Sequence, residues 1–191
     1  LLLLVVTTAL AVFYRVRYLQ RELDQRATRD FLTGMPNRRH FMELAEREFV
    51  RAARHGTPLA LAVVDLDLFK NINDTYGHEV GDQVLKRFCA VTRQALRHLD
   101  TLGRVGGEEF AILLPDTRLA AAREVAERVR QAVEAADLTT ARGERVAFTG
   151  SFGLTAYLPG DTDLTALFRR ADVALYEAKA GGRNAVRVQA D

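Results

Sequence analysis

The stretch PLALAVVDLDLF, residues 58–69, constrains the fold of this chain more than any other. Its apolar run does not alternate with polar residues, so both faces must be covered, which suits the centre of a sheet packed between helices. Around it, helical and extended patterns take turns. Asn37 is placed to cap a helix running to about Arg54, with Phe41, Leu44, Ala45 and Phe49 on one face. EVGDQVLKRFCAVTRQALRHL predicts a long amphipathic helix with Val80, Val84, Leu85, Phe88, Val91, Ala95 and Leu99 inward. TLGRV and FAILLP read as a hairpin about the turn GGEE. Asp116 or Thr117 would cap a helix carrying Ala122, Val125, Ala126, Val129 and Val133. RVAFTGSFGLTAY reads as a further strand, and Thr162 or Asp163 would cap the helix LTALFRRADVALYEAKA. Gly181 and Gly182 end that helix, and NAVRV closes as a short strand.

The order β-α-β-β-α-β with extra helices is an α+β, split ferredoxin-like arrangement: a sheet containing antiparallel strands, flanked by helices. At 191 residues the chain fits one such domain plus an appendage. A net charge of +2 is too small to argue for a nucleic-acid surface, so no nucleic-acid partner is expected. His40, His55, His78 and His98 lack zinc-ligand spacing, and the single cysteine, Cys89, reads as core packing. The appendage is the start of the chain. LLLLVVTTALAVF is apolar and uncharged for about thirteen residues, short of the roughly twenty that span a bilayer. Arg15, Arg17 and Arg21 follow, as basic residues do on the cytoplasmic side of a membrane helix. Residues 1–14 are therefore read as the end of a transmembrane helix, the rival being an apolar helix buried in a partner or dimer. Val12, Val16, Leu19 and Leu23 form a narrow seam, so residues 15–29 are read as a helical coiled-coil linker ending near Gly34 and Pro36. The globular domain then occupies 30–191, on the cytoplasmic side of an inner (cell) membrane that anchors the whole protein.

Asp65 and Asp67 alternate at the end of the central strand and share one face. Alone, D-x-D is more often a solvated strand end. The strand order, however, sets Asp65 beside the GGEE turn, and Asp65 with Glu108 then forms a carboxylate pair without a sequence-local cation. Such a pair is costly unless a cation joins it. Oxygen ligands select Mg²⁺ or Mn²⁺, which keep waters and accept substrate phosphates as further ligands. Phosphate partners are at hand: Lys70, the backbone N–H groups of Leu68 and Phe69, and Lys179 with Arg183 beyond the last helix. Lys179 by itself is equally a helix C-terminal charge favoured by the dipole. The pattern points to a nucleoside triphosphate site.

GGEEF at 106–110 resembles the signature of the GGDEF family, the diguanylate cyclases, in its GGEEF form. DFLTGMPNRRHF, VVDLDLFKNINDTYGHEVGDQVL, RVGGEEFAILLP and ADVALYEAKAGGRNAV resemble family blocks in the right order, over about Asp30 to Val188. The resemblance implies a nucleotidyl-cyclase, polymerase-palm-like core. It also implies two divalent ions per active site, held by Asp65, the carbonyl of Leu66 and Glu108, with Glu109 assisting at the second ion or at the ribose hydroxyl. Asn73 and Asp82 would read guanine: a carboxylate can accept from both N1–H and the 2-amino group, and adenine offers no matching pair. The structural alternatives are a turn residue for Asn73 and a helix-dipole acid for Asp82.

The reaction implied is condensation of two GTP into cyclic di-GMP with release of pyrophosphate, by two domains facing each other in an antiparallel homodimer. The coiled-coil seam would raise the effective concentration of one domain near the other. RHLD, Arg97 to Asp100, resembles the family's R-x-x-D site for inhibitory product, with Arg128 as a further contact. The competing readings are a catalytically silent module that senses GTP or cyclic di-GMP, and a cyclase with relaxed base choice. A purely structural membrane-dimer module would leave the acidic constellation unexplained.

Overall fold

A computed structural model describes residues 13–15 and 28–190. The sequence expectations for the apolar start and the coiled-coil linker fall almost wholly outside those residues. Among the described residues no helix is long and apolar enough to cross a membrane. Along the chain the elements are α1 (Arg38–His55), β1 (Leu59–Leu66), α2 (Phe69–Tyr76), α3 (His78–Ala95), β2 (Thr101–Arg104), β3 (Glu109–Pro115), α4 (Leu119–Glu134), β4 (Gly150–Ala156), α5 (Leu164–Ala180) and β5 (Val186–Val188). They form an α+β fold around one five-stranded sheet of order β2-β3-β1-β4-β5. All its pairings are antiparallel except β4 with β5.

β1 is buried along its whole length, as its unbroken apolar run requires. Its odd-numbered residues Leu59, Leu61 and Val63 join Phe41, Phe49, Leu167 and Leu175 in a core beneath α1 and α5. Its even-numbered residues Ala60, Ala62, Val64 and Leu66 join Val84, Phe88, Val125 and Val129 in the core beneath α3 and α4. Cys89 lies in this second core, where burial pushes its thiol up to about 12. Asn37 caps α1 by accepting from His40 N–H, and Asp163 caps α5 by accepting from Ala166 N–H.

Four details depart from the sequence reading. α3 stops at Ala95 and not at Leu99, because Arg128 donates two hydrogen bonds to the Ala95 carbonyl and the chain turns extended at Leu96. Leu99 is consequently exposed rather than inward. Neither Asp116 nor Thr117 caps α4: Asp116 pairs with Arg51, and the Thr117 hydroxyl donates to the Pro115 carbonyl. β4 begins at Gly150, because Val146 N–H donates to the Leu138 carbonyl and so pairs this segment away from the sheet. Residues 69–76, to which the sequence reading assigned no helix, form the short helix α2.

α5 rests on β4 at closest range over Gly153. A Cβ there would run into the backbone of Ala171 and Leu175 on α5. Backbone cannot swing aside as a side chain can, so any substituent must lift α5 off the sheet. Gly153→Ala is expected to cost roughly 3 kcal/mol of folding stability, read as a lower urea midpoint at unchanged slope.

Candidate active site

The site is built where β1 ends against the turn that opens β3. Antiparallel register sets Asp65 directly opposite Glu109, so both side chains fall on the α5 face of the sheet. One step on, Leu66 N–H donates to the Glu108 carbonyl at 3.2 Å, which holds the turn against the strand end. Asp65, Leu66, Glu108 and Glu109 are thus adjacent. The residue facing Asp65 is Glu109, while Glu108 lies half-buried in the turn beside it. A Cβ on Gly106 would strike the Glu109 carboxylate, whereas one on Gly107 meets nothing. The first glycine therefore makes room for an acid, and the second leaves the turn open.

Lys179, near the end of α5, reaches back over the sheet to Asp65 at 2.8 Å. Burial pushes the Asp65 carboxyl up; the Lys179 ammonium opposes this, and the charges of Glu109 and Asp67 add to it. Asp172, also on α5, is pushed up by burial and by Glu109. Four acids thus share this corner with one ammonium against them. Among the described residues no three His, Cys, Asp or Glu side chains converge as a preformed chelate. The donor set nevertheless suits a hard divalent cation that fills its remaining positions with water and phosphate. It combines a desolvated carboxylate, neighbouring acids and a strand-end carbonyl, with excess negative charge to offset.

Beyond Asp67 the chain makes a left-handed turn at Leu68 (φ 54°) and enters α2, whose N-terminus has no side-chain cap. The first N–H groups of a helix, Phe69 and Lys70 here, have no acceptor within it and point at whatever lies before the helix, a concavity suited to phosphate oxygens. Lys70 itself is exposed and paired with Asp74 at 2.6 Å. An exposed pair of that kind is weak and readily exchanged. Asn73, half-buried on α2, packs so closely on Gly81 of α3 that a Cβ there would strike its Oδ1. This contact sets Asn73 next to the turn of α3 that carries the exposed Asp82. Arg183 follows α5 in a turn of positive φ and is exposed.

Arg97 and Asp100 lie at the opposite end of α3, where Asp100 accepts from Arg97 N–H. They line a cavity of about 380 Å³ together with Arg29, His40, Arg93 and His98. Arg128 borders a separate concavity with Arg123, Glu124 and Glu127, and its guanidinium is engaged by the Ala95 carbonyl. The sequence reading grouped Arg128 with Arg97 but did not find Arg29, His40, Arg93 or His98.

A second unforeseen feature ties the start of the domain to the GGEE turn. Arg104 donates to both carboxylate oxygens of Asp30 at 3.0 and 3.1 Å, and to the Gly107 carbonyl at 2.7 Å. Asp30 lies in DFLTGMPNRRHF and Arg104 in RVGGEEFAILLP, 74 positions apart, and no local pattern joins them.

The sequence profile of the diguanylate cyclase GGDEF domain matches residues 27–185. The chain belongs to the GGDEF family. This GGDEF domain is 46% identical over 164 residues to diguanylate cyclase DgcP of Pseudomonas aeruginosa, covering 86% of this chain and 24% of that protein. It is 43% identical over 174 residues to response regulator PleD of Caulobacter vibrioides, covering 88% and 38% respectively. The chain thus spans well under half of these curated relatives. A solved structure of the coiled coil and GGDEF domain of DgcB from Caulobacter crescentus, in complex with c-di-GMP, is similar with a TM-score of 0.91 at 33% identity. That match covers 96% of this chain and 97% of the other.

The Asp30–Arg104 tie has a pH signature. Burial pushes the Asp30 carboxyl up, but hydrogen bonds from Thr33 and Arg104 outweigh it and hold the carboxyl below its ordinary value of 3.8. A depressed carboxyl stabilises the fold above its unfolded value and loses that contribution as pH falls through its folded value. Asp30→Asn is therefore expected to be less stable than wild type at pH 7. The gap should narrow below pH 3.8 in urea titrations at stepped pH.

Proposed function

We propose that this domain is a diguanylate cyclase: it condenses two GTP into cyclic di-GMP and releases two pyrophosphates. Each domain holds one GTP, and two domains face each other in an antiparallel dimer. The observation that carries this reading is the placement of Asp65 opposite Glu109 on one face of the sheet, beside an uncapped helix N-terminus and Lys179. Acids that repel one another, facing donors suited to phosphate, are the two halves of a metal–triphosphate site.

Asp65, the Leu66 carbonyl, Glu108 and Glu109 would hold two Mg²⁺ or Mn²⁺. When bound, these ions supply charge stabilisation at the reacting phosphate and ease deprotonation of the attacking 3′-hydroxyl. The chain's own groups do the positioning. The N–H groups of Leu68, Phe69 and Lys70 receive phosphate oxygens, and Lys70 exchanges Asp74 for them. Lys179 and Arg183 close on the triphosphate from α5. Asn73 and Asp82 accept and donate along the guanine edge. Discrimination of up to about 10⁴ arises because the wrong base would leave these polar groups unpaired. For one turnover, the 3′-oxygen of each GTP bonds to the α-phosphorus of the other, and each P–O bond to pyrophosphate breaks.

Product would inhibit by binding Arg97 and Asp100, with Arg128 contributing from its own side of the helix end. The apolar residues 1–14 and the basic residues after them support a membrane anchor, with the catalytic domain in the cytoplasm. The seam over 15–29 supports dimerisation through the stalk.

With GTP and Mg²⁺, the purified protein is expected to yield cyclic di-GMP by mass spectrometry. Glu108→Gln should slow this on the order of 100-fold or more with the circular dichroism spectrum unchanged, and wild-type turnover in it would remove Glu108 from the site. Arg97→Ala should raise the product concentration needed for half-inhibition while leaving initial rates intact. An unchanged inhibition curve would return RHLD to an ordinary solvated turn.

A further inference from the structure

The proposed chemistry leaves two acids of the site corner unused: Asp172, which is exposed, and Asp67, which is buried. Asp67 is 7% exposed. Its carboxylate accepts from three donors: Thr149 Oγ1 at 2.7 Å, Ser151 Oγ at 2.6 Å and Asn184 N–H at 3.0 Å. A carboxylate so enclosed has little capacity left for a cation. Its third donor belongs to the turn after α5, where Gly182, Arg183 and Asn184 carry φ of 110°, 66° and 43° in succession. Asn184 tolerates that region through its short polar side chain, whereas Arg183 holds it against a steric penalty. Strain of this kind persists only where the surroundings over-determine it.

The surroundings here hold the turn from both sides. From within the domain, Asp67 accepts the Asn184 N–H. From the outer side, Asn184 Oδ1 accepts from Arg130 at 2.9 Å and Asn184 Nδ2 donates to Glu134 at 2.8 Å, both partners on α4. Arg130 is itself fixed by Glu127 and Glu134. Both clamps grip Asn184, next to the exposed Arg183, whose own N–H donates to the Ala178 carbonyl at 3.0 Å.

We propose that Asp67, with the Arg130–Glu134 clamp behind it, is a positioning residue that holds the strained turn so that Arg183 meets the triphosphate. This rests on the reading of Arg183 as a phosphate-binding residue. Asp67 acts on substrate only through that turn, and is neither a metal ligand nor a base.

A double-mutant cycle tests it, with the affinity for a non-hydrolysable GTP analogue measured by calorimetry in the presence of Mg²⁺. In the wild-type background Arg183→Ala should weaken binding about tenfold, the loss of one charged hydrogen-bonding contact. In the Asp67→Asn background the same substitution should cost less than about twofold, because Arg183 is already misplaced. Arg130→Gln, on α4 and outside the proposed substrate contacts, should show the same loss of coupling and serves if Asp67→Asn does not fold. The Mg²⁺ concentration for half-maximal turnover at saturating GTP should stay as in wild type. Additive effects of Asp67 and Arg183 would overturn the proposal while leaving Arg183 on the phosphate. A raised Mg²⁺ requirement in Asp67→Asn would overturn it by making Asp67 a ligand. If Arg183→Ala alone changes nothing, the phosphate assignment of Arg183 fails and the proposal falls with it.

Discussion

The antiparallel register of β1 is the constraint on which the rest depends. β3 flanks it on one side and β4 on the other, and the same residues fix both pairings. A slip of one residue would bring Asp65 and Asp67 onto the face of Val84 and Phe88, and would send Val64 toward Lys179. Two separate apolar cores, one per face, forbid that slip. The acids at the strand end therefore inherit their position from the packing of Leu59, Leu61 and Val63 many ångströms away. Stability and site geometry are two readings of a single alignment.

The same packing accommodates groups that work against it. Burial pushes Asp65 and Asp172 up, so their ionised forms weaken the fold at neutral pH. The left-handed residues after α5 add strain to the same corner. These costs concentrate where chemistry is proposed, as trade-offs between stability and activity do. α5 carries much of the offset: it lies close on β4 over Gly153 and brings Lys179 to Asp65.

What could be read from the sequence follows from the range of each interaction. The apolar run of β1, the faces of α1 and α4, and the cap Asn37 are determined within a few residues, and each was legible, while the cap of α5 was narrowed to Thr162 or Asp163. So was the approach of Asp65 to the GGEE turn, since strand order alone requires it. Leu99 was misread because the signal that ends α3 comes from Arg128, 33 residues beyond Ala95. α2 was missed because it starts at a left-handed leucine without a capping side chain, which leaves no local mark. The partners of Asp67 lie 82, 84 and 117 residues away, so the sequence showed the acid and hid its purpose. The metal and phosphate class came from residue chemistry, whereas guanine and the dimeric reaction came from the family blocks.

Cys89 has a practical consequence for following this domain at work. It is the sole sulfhydryl in the chain, sealed within the core and protonated throughout the neutral range. A cysteine introduced at an exposed position would therefore be alkylated selectively, with no native thiol to remove first. A spin label or fluorophore at the exposed Val50 of α1, outside the proposed active and product sites, could then report the separation of two domains during turnover.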